Sequence, residues 1–217
     1  SGRNAGFCCI PPAKMSVKKM FNKYGKNETK KFFQNTIEGS NFTKNLIQEY
    51  NIDCDLTGDS NYEVAPHPSY FEGIKEEAAT YKKEFGIETK VFSKEEFNEI
   101  GHGGNEQFGA MSYKPGFAIN PLKFLLGIAN VANNSGVKIF QKSKVTKIEK
   151  TNGKYKIISN GNIINANKIV MATNGFYKDD IFPKLNNMIL PVISNIIITR
   201  PLTDDEIKSH NFITNNP

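Results

Sequence analysis

Arginine is nearly missing from this chain. Of 28 basic residues only Arg3 and Arg200 are arginines. A net charge of +6 invites a nucleic-acid reading, but proteins that read bases and phosphates lean on the bidentate arginine fork. Here the lysines stand beside Glu and Asp, as in KEEAATYKKE, so the charge reads as a solvated lysine surface with no nucleic-acid partner. Cysteine is scarce as well. Cys8, Cys9 and Cys54 make an odd count without a C-x-x-C spacing, which argues against a disulfide framework or a zinc site and for reduced thiols in a cytoplasmic protein. The three histidines, His67, His102 and His210, stand far apart, and no metal site is expected. No run of about 18 apolar residues is present, so no membrane span is expected. The Gly-rich dinucleotide fingerprint G-x-G-x-x-G is absent too.

What is present is a chain of 217 residues with 38% hydrophobic content, enough for one large domain or two small ones. NETKKFFQNTIEGSNFTKNLIQEY carries Phe33, Ile37, Leu46 and Tyr50 at helical spacing and predicts one long helix, or two joined near Gly39. PSYFEGIKEEAATYKKEFG predicts a helix closed by Gly86. Ser93 with Glu96 three residues later is a capping box. Short strands are expected up to Ala65, in IETKVF, and over Phe108 to Met111. NPLKFLLGIANVANNSG has Asn120 as N-cap, Pro121 in the first helical position and Gly136 as the stop. Beyond it the pattern predicts a strand at Val137 to Phe140, another at Lys144 to Lys150, and a hairpin turning at Asn160-Gly161. It ends with a buried strand at Ile169 to Ala172. Two apolar runs separated by three antiparallel strands read as a parallel sheet with an antiparallel crossover. The turn Ala172-Thr173-Asn174-Gly175 then falls at the carboxyl edge of that sheet, where doubly wound folds bind nucleotides.

The stretch from Gly116 to Leu202 resembles the FAD-dependent oxidoreductases of the D-amino-acid oxidase superfamily, in the branch of the amine and amino-acid oxidoreductases. The residues that carry the resemblance are INPLKFLLGIANVANNSGVKIFQKSKVTKI, ANKIVMATNGF and LPVISNIIITRPL. The opening SGRNAGF resembles the loop that follows the first βαβ unit in this family and runs beside the flavin. The resemblance implies an α/β, mixed α+β fold: an incomplete, doubly wound FAD-binding domain with an interleaved substrate domain on a mostly antiparallel sheet. It assigns residues 1–60 and 115–185 to the FAD-binding domain, and 61–114 and 186–217 to the substrate domain. With no fingerprint present, the chain reads as an internal fragment that does not retain FAD and is inactive by itself.

The implied chemistry is oxidation of a C–N bond in a small amine or amino acid. Hydride passes to FAD, the imine product is hydrolysed by water, and electrons leave to oxygen or another acceptor. The implied FAD-contacting residues are Ser1, Gly2, Arg3 and Asn4 in the opening loop, Val145 by its backbone beside the adenine, and Ala172, Thr173, Asn174 and Gly175 in the second turn. Arg200 reads either as a partner of a substrate carboxylate or as a domain-edge residue. His102, in GHGG, reads either as a cavity-lining residue or as an ordinary loop histidine. No catalytic acid or base is identified. Two other readings stand beside this one: the same fold acting on a hydroxy acid or a polyol phosphate, and a non-enzymatic binding domain that has lost the flavin.

Overall fold

The computed structural model describes residues 4–10, 15–174, 181–185, 187–190, 192, 195, 197, 199–209, 211–214 and 216–217. They divide into two compact units, residues 1–135 with 197–217, and residues 136–196.

In the first unit a short strand β1 (Phe7–Cys9) leads into helices α1 (Val17–Tyr24) and α2 (Lys26–Glu49). The long helix runs unbroken through Gly39 because its buried residues, Thr29, Phe33, Ser40 and Ile47, keep one face toward the interior. Phe33 is its anchor, 1% exposed. Its ring stacks on Phe85 at 3.9 Å and meets Tyr81 edge-on at 5.7 Å, a geometry that aromatic quadrupoles favour. After β2 (Asn61–Val64), helix α3 (Pro68–Thr80) opens on His67, whose ring accepts from the Ser69 amide, and on Pro68 at the first turn. It passes into a single π turn (Tyr81–Phe85) that stops at Gly86 in the left-handed region, φ 66°.

β3 (Thr89–Phe92) and β4 (Ala110–Tyr113) complete a three-stranded antiparallel sheet of order β2-β4-β3, with β4 at the centre. Met111 lies opposite Glu63 on one side and Val91 on the other. Between β3 and β4, α4 (Lys94–Ile100) carries the expected capping box in full. The sheet is covered on both faces. Ile74, Ala78 and Tyr81 pack with Met111 and Tyr113 in one cluster, while Phe92, Phe97 and Ala110 form another with Tyr62 and Val64. β5 (Gly116–Ala118) returns to pair with β1, and α5 (Pro121–Asn134) follows, capped by Asn120. Phe124, Ile128 and Val131 of α5 pack against Ile47, Ile52, Cys54 and Phe117. After a short helix α6 (Asp204–Ser209), the tail joins the same unit: the Tyr62 amide donates to the Pro217 carbonyl at 2.8 Å and the Asp59 amide to Asn216 Oδ1 at 2.9 Å.

The second unit is a meander of β6 (Val145–Thr151), β7 (Lys154–Ser159) and β8 (Asn162–Ala166). Its hairpin turns where expected, with Asn160 at φ 48° and Gly161 at φ 79°, the pair of left-handed residues a type I′ turn requires. Two expected strands are not formed. Residues 137–140 and 169–172 have no regular structure, Phe140 is 72% exposed and Val170 88%. Every strand pair among the described residues is antiparallel. A strand needs a hydrogen-bonded neighbour to form, and neither run has one among the described residues. Of residues 190 to 199, whose apolar run LPVISNIIIT suggests a further strand, half lie outside the described residues.

Gly39 is exposed in mid-helix, and a Cβ there would meet nothing within 4 Å. Gly39→Ala therefore stabilises the first unit by about 0.5–1 kcal/mol, the difference in helix cost between the two residues. Thermal melts read it as a raised Tm; an unchanged or lowered Tm contradicts the continuous-helix account.

Candidate functional site

The opening loop enters the first unit through a tight local turn. Asn4 Oδ1 accepts the Gly6 amide at 2.8 Å, and Gly6 sits at φ +78°, where side-chain-bearing residues are strained. The Ile119 amide donates to the Gly6 carbonyl at 2.9 Å, so the loop runs directly into the β1–β5 ladder, Phe7 opposite Ala118 and Cys9 opposite Gly116. A cavity of about 410 Å³ opens beside it, lined by Asn4, Gly6, Cys8 and Thr43 on one side and Ile119, Pro121 and Leu125 on the other. Ser1, Gly2 and Arg3 lie outside the described residues.

The start of α5 is held by charge. Asn120 caps it by accepting the Lys123 amide at 3.2 Å, and its side-chain amide donates to Asp55 at 3.1 Å. Lys123 bridges Asp55 and Asp53; its hydrogen bond holds the Asp55 carboxyl below the usual range. The cysteines are not nucleophiles in this setting. Cys9 donates to Asn61 Oδ1 at 2.8 Å, and burial, with Cys8 as a lesser cause, pushes its thiol up to about 11. Burial raises Cys8 and Cys54 as well, so all three are protonated at neutral pH.

In the second unit, Val145 begins β6 at the wall of a cavity of about 800 Å³. Ile148, Ile157, Ala166, Ile169 and Met171 give it apolar walls, Thr173 a hydroxyl, and Lys144 and Lys168 positive charge. Ala172, Thr173 and Asn174 are exposed, and Asn174 adopts φ 54°. The structure thus brings Val145 and Thr173 to one cavity, with Ala172 and Asn174 on either side of Thr173 in the chain. Gly175 lies outside the described residues, and Asn4 belongs to the other unit. Apolar walls for a flat ring, small residues that permit close approach and lysines for an anion suit a nucleotide cofactor, in a volume typical of ligand sites.

The two residues with open readings both make contacts within the first unit. Arg200 is exposed and grips Glu206 with both guanidinium nitrogens, at 2.8 and 2.6 Å. The His102 ring packs edge-on to Phe97 at 5.5 Å and against Phe212 at 6.1 Å. Sequence reasoning passed over one group entirely, the polar set on the helix-covered face of the sheet. There Asn61 donates to the Tyr113 hydroxyl at 2.6 Å and Tyr81 donates to Glu77 at 3.2 Å. Strand alternation alone would have sent Asn61 and Glu63 outward, because Tyr62 and Val64 are the apolar pair. Among the described residues no group of three His, Cys, Asp or Glu could hold a metal ion, and no helix is long and apolar enough to cross a membrane.

A Cβ on Gly6 would run into the carbonyl oxygen of Ile119, whereas one on Gly86, also left-handed, would meet nothing within 4 Å. Gly86→Ala carries only the left-handed backbone cost of about 1 kcal/mol, and Gly6→Ala adds a clash to it. Melting curves should show the larger Tm drop for Gly6→Ala; equal drops mean that the loop's close approach to β5 is not a constraint.

Known proteins similar to this chain point to one family. The family model described as FAD dependent oxidoreductase (DAO) matches residues 1–216. The chain is 25% identical over 211 residues to a probable oxidoreductase, OrdL, of Haemophilus influenzae, covering 94% of this chain and 47% of that protein. It is 22% identical over 210 residues to the gamma-glutamylputrescine oxidoreductase of Escherichia coli, covering 96% and 48%. It therefore spans about half the length of these curated relatives. Among solved structures, a glycine oxidase from Geobacillus kaustophilus superposes with a TM-score of 0.59 at 13% identity, over 79% of this chain and 44% of the other, a likeness of fold. With the match running along almost its whole length, the chain belongs to the DAO family of FAD-dependent oxidoreductases.

Proposed function

We propose that the intact protein oxidises a C–N bond of a small amine or amino acid and passes the electrons to oxygen or another acceptor, in the cytoplasm. The observation that carries this reading is the family match over residues 1–216, with a relative named for an amine substrate, gamma-glutamylputrescine. FAD supplies the capacity to take a hydride from the carbon beside the nitrogen when it is bound. The chain's own residues hold and orient. Val145 and Thr173, at the 800 Å³ cavity, would bind the adenine end, with Ala172, Asn174 and Gly175 letting the backbone come close. Lys144 and Lys168, which line that cavity, would offset the charge of the diphosphate. Ser1, Gly2, Arg3 and Asn4 would lie along the flavin, the last fixed by its turn to Gly6. In this reading residues 1–60 and 115–185 are parts of the FAD-binding domain, and 61–114 and 186–217 parts of the substrate domain.

The test is anaerobic titration of the intact, flavin-loaded protein with panels of primary and secondary amines, amino acids and hydroxy acids. Bleaching of the flavin band by at least one amine or amino acid is the expected result. Bleaching by hydroxy acids alone would move the reaction to a C–O bond and contradict the proposal.

A further inference from the structure

The second unit buries one hydroxyl that no other group of the protein satisfies. Ser159, the last residue of β7, is 6% exposed, and its Oγ has no hydrogen-bond partner among the described residues. A hydroxyl taken out of water without a partner opposes folding, and most buried side-chain hydroxyls find one. The polar side chains nearest in the meander are already engaged, each with a backbone carbonyl. Thr146 donates to Ile158, Asn160 to Lys142 and Asn162 to Asn160.

The strand register shows what Ser159 faces. It stands opposite Val145, while Ile157 stands opposite Ile148 and Tyr155 opposite Ala166. Side chains alternate along a strand, and partners across a ladder share a face. Val145, Ile148, Ile157, Ala166 and Ser159 therefore lie on one face of the meander. The bulge between Val145 and Lys147 is what returns Val145 to that face, three residues from Ile148. The other four of these residues line the 800 Å³ cavity. The orphan hydroxyl thus belongs to the face that walls the cavity, beside Val145.

We propose that Ser159 is a further cofactor-binding residue, whose hydroxyl hydrogen-bonds the adenine ring of FAD. The proposal rests on the reading of this cavity as the adenine end of the FAD site. Val145, Ile148, Ile157 and Ala166 offer the ring apolar contact, which suits any flat ring. Adenine differs from other rings at its edge, where ring nitrogens accept and the exocyclic amine donates. A serine hydroxyl can answer either, being donor and acceptor at once. The hydroxyl that is unsatisfied in the empty site then gains its partner on binding. Ser40 is the other buried hydroxyl without a partner; it lies on α2 in the first unit and lines neither of the cavities described above.

The experiment is equilibrium binding of FAD, read by quenching of its fluorescence, to apo-protein prepared from the intact protein, beside thermal melts of that apo-protein. Ser159→Ala should weaken FAD binding about three- to tenfold, the worth of one neutral hydrogen bond. Its apo form should melt at the same or a higher temperature, because an unpaired hydroxyl has left the interior. Ser40→Ala should leave FAD binding unchanged. Unchanged FAD binding in Ser159→Ala overturns the proposal. So does weaker binding accompanied by a lower apo melting temperature, which would make the hydroxyl structural. Lys168→Glu tests the cavity reading separately: Lys168 is exposed at the cavity wall, and reversing its charge should weaken FAD binding. If neither Lys168→Glu nor Ser159→Ala changes binding, the cavity is not the adenine site. If Lys168→Glu alone weakens it, the cavity reading stands and the role of Ser159 falls.

Discussion

The chain's opening strand is held by a strand more than half the described first unit away, and the entry to α5 is set by that contact. β1 lies antiparallel to β5, and Gly6 brings the backbone so close to Ile119 that no side chain fits. The loop 119–120 that follows is fastened from another side, since the Asn120 amide donates to the Cys54 carbonyl at 2.7 Å and Thr57 bridges to Ala118. One short ladder thereby sets where the opening loop lies, where α5 begins and where the small cavity between them opens. Loop-closure cost grows slowly with length, so two three-residue strands suffice when their register is backed by Phe117, 1% exposed in the core beneath.

The sheet of β2, β4 and β3 answers to a different constraint. Its central strand is buried on both faces, with Ala110 and Met111 each fully inaccessible. A sheet that is covered twice cannot keep all its polar residues in water. Asn61 resolves the conflict by bonding Cys9 and Tyr113. Glu63 has no such partner among the described residues, and burial raises its carboxyl above the ordinary value, with Glu77 a lesser cause.

Local signals were legible wherever a few neighbouring residues decide the outcome. Ser93 with Glu96, Asn120 with Pro121, Gly86 and the Asn160-Gly161 turn all do in the structure what their chemistry dictates. The long helix was legible with a break near Gly39 left open; burial of Phe33 and Ile47 outweighs the cost of that glycine and keeps it unbroken. β1, β5 and α1 were not legible at all: three-residue strands carry no periodicity, and α1 is a lysine-rich helix with only Val17 and Met20 buried. The runs at 137–140 and 169–172 have strand composition without strand structure, since composition gives a propensity and pairing needs a partner. Of the candidate site, Val145 and Thr173 meet at one cavity because the meander folds back on itself. Gly6 and Ile119 were invisible because their importance rests on contacts between segments distant in sequence.

The central proposal is that the Val145–Thr173 cavity takes the adenine end of FAD. A crystal structure of the intact protein with its flavin tests that claim most directly. The proposal predicts the adenine in van der Waals contact with Val145 and Thr173. FAD bound with the 800 Å³ cavity empty would contradict it.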